Sequence, residues 1–529
     1  MNQNRNIIIL IAVLIVAAIA FVIFTRSPNN NVTTATTGSS SSQAAATDTP
    51  SAAAGATTVI TGTTATTATV GTTTTVTTTE VTAAPAVTAT TPVTASVSPT
   101  VAAVPTLEPV AINAQPGGYL DRALQGEFQG KTVTMFGPFV DEDQVKFNNS
   151  IAQFEQQTGI NIQYEGSKEF ETTISVRVDG GDPPDIADFP QPGLLDSFAK
   201  AGKIIDVNSF LSADYLQQQY AQSWLDMATR QGPNGPVMAG VWQRFNGKSL
   251  VWYPKKSWDA AGYQIPQTWD ELMKLTDQIA NDGDTAWCIG IESGAATGWP
   301  ATDWIEDLML RTTTPENYDK WVRGELKFDS PEVKHAVDLM SAIWFNDKYV
   351  YGGRASIVST SFGDAPAPMF QDPPKCWMHR QGNFITSFFP ASAKPGVDYD
   401  FFYFPPVDPA EGKPFLVAGD IMGAFTDRPE VLAVMEYFST GASVRGWMAA
   451  GGALSPHKDA SLDWYGNDID RRIAQMVNDA TVLRFDGSDQ MPAAVGTGSF
   501  WKAMTDYVSG TIDEETALKE IDASWPTNQ

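Results

Sequence analysis

The chain changes character near residue 116, and that change constrains its fold more than any other feature. Residues 7–24 carry no charge and no proline, with Arg5 before them and Arg26 after. At 1.5 Å per residue, roughly 18–20 apolar residues span the hydrocarbon core of a bilayer. Signal-peptide apolar regions are usually shorter, roughly 7–15 residues. Residues 1–26 therefore read as an uncleaved transmembrane anchor. A rival reading stays open, because Ala18-Ile19-Ala20 has the A-x-A form of a cleavage site. Cleavage near Ala20 would make the segment a signal sequence and the mature protein secreted. No cysteine follows the apolar run, which excludes lipid attachment at that point. One arginine at each end says little about orientation.

Residues 27–116 are mostly Thr, Ala, Val, Ser and Pro, with almost no charge. They hold almost no Leu or aromatic residue, so no apolar burial offsets the entropy of ordering them. The segment reads as a disordered linker, either a plain spacer or a Thr/Ser/Pro stalk open to O-glycosylation. About 90 such residues reach roughly 300 Å when stretched and roughly 50 Å as a coil. The layout is anchor, tether and a globular domain held outside the cell, over residues 117–529.

That domain, roughly 410 residues long, exceeds one simple core, so two lobes are expected. The net charge of −26 and pI of about 4.4 oppose phosphate backbones, which excludes nucleic acid as a partner. The two cysteines are Cys288 and Cys376. Outside the cell they form a disulfide or remain two buried thiols, and composition does not choose. Three histidines are present, and His335 falls on the polar face of a helical pattern. H-E-x-x-H, G-x-S-x-G, Walker A and G-x-G-x-x-G are all missing, and no Cys/His spacing suits a metal. No catalytic residue, metal or cofactor is assigned. Against this stand 15 Trp, 14 Tyr and 27 Phe, a wealth of flat amphipathic surfaces.

Lys131 to Phe136 reads as a strand, followed by a helix with Phe147, Ile151 and Phe154 inward and Gly159 at its end. Ile160 to Tyr164 and Asp185 to Ala187 read as further strands. The β-α-β-α-β rhythm predicts a parallel sheet. Leu250 to Tyr253 and Asp400 to Phe404 are strands. Thr268-Trp-Asp-Glu271 is a capping box before Leu272, Leu275 and Ile279. Pro331 and Pro429 each open a helix.

Five segments then carry a resemblance: Phe154-Glu-Gln-Gln-Thr-Gly-Ile160; Gly181-Asp-Pro-Pro-Asp-Ile186; Leu250-Val-Trp-Tyr-Pro-Lys255 with Pro266-Gln-Thr-Trp-Asp-Glu271; Arg380-Gln-Gly-Asn-Phe384; and Pro405-Pro406 with Gly419 to Phe425 and Arg428-Pro-Glu430. In this order and spacing they resemble the extracellular solute-binding proteins of carbohydrate ABC transporters, the maltose-binding-like family. Glu165 to Glu171, Gly298 to Trp304 and Cys376 to Arg380 look like its α-glucoside-binding branch. Two departures stand out: Phe384 replaces a usual Trp, and Tyr253-Pro254 replaces Tyr-Asn.

The resemblance implies an α/β, two-lobe periplasmic-binding-protein-like fold with a hinged interlobe cleft. Transferred boundaries put lobe I at 117–245 and 418–462, and lobe II at 246–417 and 463–529. A sugar would lie in the cleft, its C–H face on an aromatic ring and its hydroxyls on polar side chains. Family positions then point to Phe136, Gly137, Phe189, Gln191, Trp242 and Arg244, to Trp299, Asp303 and Trp304, to Arg380, Asn383 and Phe384, and to Gly419, Asp420 and Trp501. The implied partners are a carbohydrate ligand and ABC permease subunits with a cytosolic ATPase, served by a monomeric receptor held through its N-terminal helix. Two other classes are compatible with the residues. One is a sugar sensor of the same fold. The other is an extracellular glycoside hydrolase, whose two carboxylates an acidic chain could supply.

Overall fold

The computed structural model describes residues 107–527. The anchor at 1–26 and the linker as far as residue 106 lie outside the described residues. Among the described residues no helix is long and apolar enough to cross a membrane.

Eleven strands occur among these residues, in chain order β1 (Thr132–Gly137), β2 (Asn161–Gly166), β3 (Ile186–Phe189), β4 (Thr229–Gly232), β5 (Gly235–Met238), β6 (Val241–Gly247), β7 (Leu250–Tyr253), β8 (His379–Arg380), β9 (Asp400–Tyr403), β10 (Pro414–Ala424) and β11 (Val482–Phe485). The large sheet runs β11-β10-β3-β1-β2, with β6 also on β10. The strands β1, β2 and β3 are parallel as expected. Strand β10 adds an antiparallel element to this parallel set, running against β3 and β6. Its 11 residues are all buried, so it lies between neighbours on both edges.

Local signals act as predicted. Helix Asp141–Thr158 buries Phe147, Ile151 and Phe154 and ends at Gly159, whose φ of 70° suits a residue without Cβ. Helix Trp269–Asn281 starts at Thr268, which accepts from Glu271 N, while Glu271 Oε2 accepts from Gln267 N at 2.7 Å. His335 is exposed on helix Pro331–Trp344.

Two apolar cores result. The first joins the large sheet to its helices, with Phe154, Trp242 and Phe438 at its centre. The second gathers Trp287, Trp304, Trp321 and Trp344 around one face of the β8-β7-β9 sheet. That small sheet serves both: Val251 and Phe402 face the second core, Trp252 and Phe401 the first. Cys288 and Cys376 are joined in a disulfide with Cα atoms 5.5 Å apart.

The strands cross between lobes side by side. Val417 on β10 pairs with Gly247 on β6 and with Phe485 on β11. Just beyond, Lys248 N donates to Leu416 O at 2.8 Å, and Asp486 N to Val417 O at 2.7 Å. Helix Asp468–Asn478 puts Ile469 and Ile473 into the first core, and β11 is hydrogen-bonded to β10. At the other end, residues 107–116 are held against lobe I. Tyr215 Oη donates to Asn113 O at 3.0 Å, and the Glu436 carboxylate accepts from Gln115 N at 2.8 Å and Leu120 N at 2.9 Å.

Candidate functional site

A cleft of about 240 Å³ opens between the lobes beside these crossings. Small-molecule pockets span roughly 300–1,000 Å³. This one therefore suits a ligand of one or two rings.

Its second-lobe wall is aromatic. Trp299 lies 5.1 Å from Phe362 and 5.8 Å from Phe384, ring centroid to centroid, and Phe362 lies 5.1 Å from Phe388. Gly298 sets this wall. Its φ of 112° turns the chain into helix Trp299–Thr312, and a Cβ there would collide with Trp501 O. Trp501 also lines the cleft and aims its Nε1 at Ser488 Oγ, 3.4 Å away.

The first-lobe wall is polar. It presents Asp143, Gln191, Arg244, Gly419 and Asp420, with Glu171 beside Gln191. Arg244 stacks its guanidinium over Trp447 at 4.0 Å and Phe139 at 4.5 Å. Its Nε lies 2.9 Å from Asp420 Oδ2, but the contact is misaligned for a hydrogen bond, and both atoms lack a hydrogen-bond partner. Asp143 Oδ1 and Gln191 Oε1 are likewise buried without one. A buried polar atom left unpaired costs about 1–3 kcal/mol. Four such atoms, two of them facing each other as an ion pair, lie on residues of one wall. Three of the four are acceptors.

Burial pushes the Asp420 carboxyl up to about 6, against the pull of Arg244. Burial likewise pushes Glu171 up to about 7, although the Gln191 side chain, 3.2 Å away, and its own backbone oppose this. A carboxyl with a raised folded pKa holds its proton in the native state and loses it in the unfolded chain. Its contribution is full below about pH 4.5 and is lost as the pH rises through about 7. Glu171→Gln is expected to flatten the stability profile over that window by roughly 2 kcal/mol. Urea unfolding of both proteins at pH 4.5 and 8 measures this, and identical differences would remove Glu171 as the source.

Beneath the cleft lies an ionic floor. Lys248 Nζ donates to Asp303 Oδ1 at 2.8 Å and Asp486 Oδ2 at 2.6 Å. Burial opposes the ammonium, but the surrounding carboxylates outweigh it and hold its pKa above the usual lysine value. Burial also opposes the Asp486 carboxylate, yet Lys248 and hydrogen bonds keep it at about 2. Asp303, Glu306 and Asp486 could together face a metal ion. The Lys248 ammonium already holds two of the three, so the chain supplies its own cation there. Alongside, Arg380 Nη2 donates to Asp307 Oδ2 at 2.8 Å, and Arg311 pairs with the same carboxylate.

Of the residues expected from sequence, the structure brings seven to the cleft: Gln191, Arg244, Trp299, Phe384, Gly419, Asp420 and Trp501. Eight stand elsewhere. Phe136 packs against Phe170, and Phe189 against Phe170 and Phe198, inside the first core. Gly137 is covered by Tyr164 and Asp188. Trp242 packs on Trp224, and its Nε1 donates to Trp224 O at 2.8 Å. Trp304 is wedged between Trp287 and Trp344. Asp303 and Arg380 belong to the ionic floor, and Asn383 Oδ1 accepts from Gly247 N at 2.8 Å. Phe139, Asp143, Glu171, Lys248 and Phe362 line the cleft without having been singled out. Phe139 directly follows Gly137-Pro138 at the end of β1, a signal available in sequence. Lys248 and Phe362 carried none.

The sequence pattern described as bacterial extracellular solute-binding protein matches residues 141–440. The Synechocystis sp. protein GgtB, described as binding osmoprotective compounds, is 43% identical over 403 residues, covering 76% of this chain and 94% of its own. The Rhizobium meliloti periplasmic protein AglE, described as binding alpha-glucosides, is 41% identical over 398 residues, covering 74% of this chain and 86% of its own. Among solved structures, the bacterial solute receptor AcbH superposes with a TM-score of 0.63 at 17% identity, covering 74% of this chain and 98% of its own. A raffinose complex of RafE superposes with a TM-score of 0.58 at 18% identity, covering 74% and 98%. At such identities these likenesses concern the fold.

Proposed function

The chain belongs to the bacterial extracellular solute-binding protein family, and from that premise we propose that it is the sugar-binding component of an ABC importer, taking a neutral α-glucoside of one or two rings into the interlobe cleft. The observation that carries this is one cleft lined by the Trp299–Phe362–Phe384 cluster and by the polar residues Asp143, Gln191, Arg244 and Asp420. An aromatic wall receives the C–H face of a ring, and acceptors receive its hydroxyl protons. The α-glucoside class is supported by the likeness to AglE. Clustered carboxylates along the cleft disfavour anionic ligands.

Delivery follows from this reading. The domain lies outside the cytoplasmic membrane, and the loaded, closed receptor hands its sugar to the permease subunits, whose cytosolic ATPase drives import. The apolar run 7–24 and the charge-poor stretch after it support a receptor, taken here as a monomer, that is anchored and tethered rather than free. The same relatives are binding proteins, which favours binding over glycoside hydrolysis.

Tryptophan fluorescence of the full chain, titrated with maltose, trehalose, sucrose and cellobiose, tests the reading. The α-linked sugars are expected to shift emission, and Trp299→Ala is expected to weaken their binding at least ~30-fold. Silence of the unmodified protein to all four would sink the sugar assignment. Full affinity in the Trp299 variant would move the site elsewhere.

A further inference from the structure

We infer that Lys248 is a specificity-determining residue of the cleft, donating its third N–H to an oxygen of the bound sugar and tying that contact to the hinge; the inference rests on the sugar-binding reading above. Lys248 lines the cleft although it is only 5% exposed, and its ammonium lies 5.1 Å from the Trp299 ring centroid. An ammonium has three donors. Two are engaged, by Asp303 and Asp486, and no third acceptor is found among the described residues. The third N–H has only the face of the Trp299 ring near it, and a buried ammonium gains more from an oxygen acceptor than from a ring, so a ligand oxygen beside Trp299 is its natural partner.

Its position gives the contact a consequence. Lys248 is the first residue past the sheet on the β6 crossing, and Asp486 the first past it on the β11 crossing, with β10 between them. The 2.6 Å ion pair therefore clasps two of the three crossings, and Asp303 joins the clasp to the helix that presents Trp299. Hinge closure changes a few backbone angles at such crossings. A sugar oxygen held by Lys248 is thereby bonded to the group that registers their relative position. Cleft walls grip the ligand from either lobe, whereas Lys248 grips it from the hinge.

Calorimetric titration of the full chain with maltose and trehalose, each with its monodeoxy analogues, tests this. Lys248→Met is expected to weaken the parent sugars about 10–100-fold, the range for a hydrogen bond to a charged group. One analogue, lacking the hydroxyl that Lys248 serves, is expected to bind the variant as well as the parent sugar does. A purely structural lysine would lower every analogue by one common factor, and that result, or affinity within 2-fold of the unmodified protein, overturns the inference. Should Lys248→Met not fold, Asp303→Asn replaces it, keeping the ammonium but releasing one anchor. The penalty for that single hydroxyl should then change at least 3-fold with the others constant, and no selective change overturns the inference. An unmodified protein that binds neither sugar overturns the α-glucoside reading and takes this inference with it.

Discussion

Asp307→Ala is expected to destabilise the domain by about 3–5 kcal/mol, the range for removing one member of a buried ionic network. Asp307 is fully buried on helix Trp299–Thr312. Its carboxylate holds Arg380 at 2.8 Å, accepts from Ser249 Oγ at 2.7 Å and pairs with Arg311. Arg311 in turn donates to Phe404 O at 3.0 and 2.9 Å, so one carboxylate joins the helix to β7, β8 and the end of β9. Removing it leaves two buried guanidinium groups short of a counter-charge in surroundings that cannot hydrate them. The urea midpoint should fall sharply. Any binding left in the folded fraction should keep its affinity, because Asp307 does not line the cleft. Unchanged stability with lost sugar binding would reverse this assignment and make the network part of the site.

Loss of the Cys288–Cys376 bond is expected to cost about 4–5 kcal/mol on the loop-entropy estimate, given a sequence separation of 88. Both cysteines are buried, and their bond joins the segment after Trp287 to the segment leading into β8. His379, the first residue of β8, donates from Nδ1 to Cys288 O, 2.8 Å away, which fixes the same junction. Cys288→Ser with Cys376→Ser, compared with the unmodified protein under oxidising conditions, measures the effect. A urea midpoint that does not move would show that packing alone holds this junction. Trp299 opens a helix that holds neither cysteine, so sugar affinity per folded molecule should change little.

Local signals account for most of the elements. The Phe147, Ile151 and Phe154 spacing, the Thr268 capping box and the prolines at 331 and 429 all act within one turn of helix. Such contacts are written in adjacent residues, and the structure matches them within a residue or two. The strands at Lys131, Ile160 and Leu250 were legible for the same reason, since alternation and turn residues are local.

What escaped depends on distant partners. Nothing near β10 says that it runs antiparallel to β3 and β6, because strand direction is set by where the chain re-enters the sheet. The pairing of β11 with β10 is likewise a long-range hydrogen-bonding choice. The aromatic candidates show the same limit. Trp299 and Trp501 face the cleft while Trp242 and Trp304 fill cores, and all four are equally amphipathic in sequence. Loop placement next to Gly298 distinguished Trp299. No local signal distinguished Phe362 or Lys248.

The sequence by itself determined that a charge-poor segment precedes an acidic, aromatic-rich two-lobe domain, because composition and short-range spacing decide what can bury a core. It also determined the family, through motifs in a set order. Only the tertiary structure decided which polar groups face the ligand and which pair with each other. Arg380 and Asp303 pair within the floor, whereas Arg244 and Asp420 line the cleft as an ion pair whose 2.9 Å contact is misaligned for a hydrogen bond. That difference is a matter of ångströms and angles between residues far apart in the chain, and hydrogen bonding depends on both.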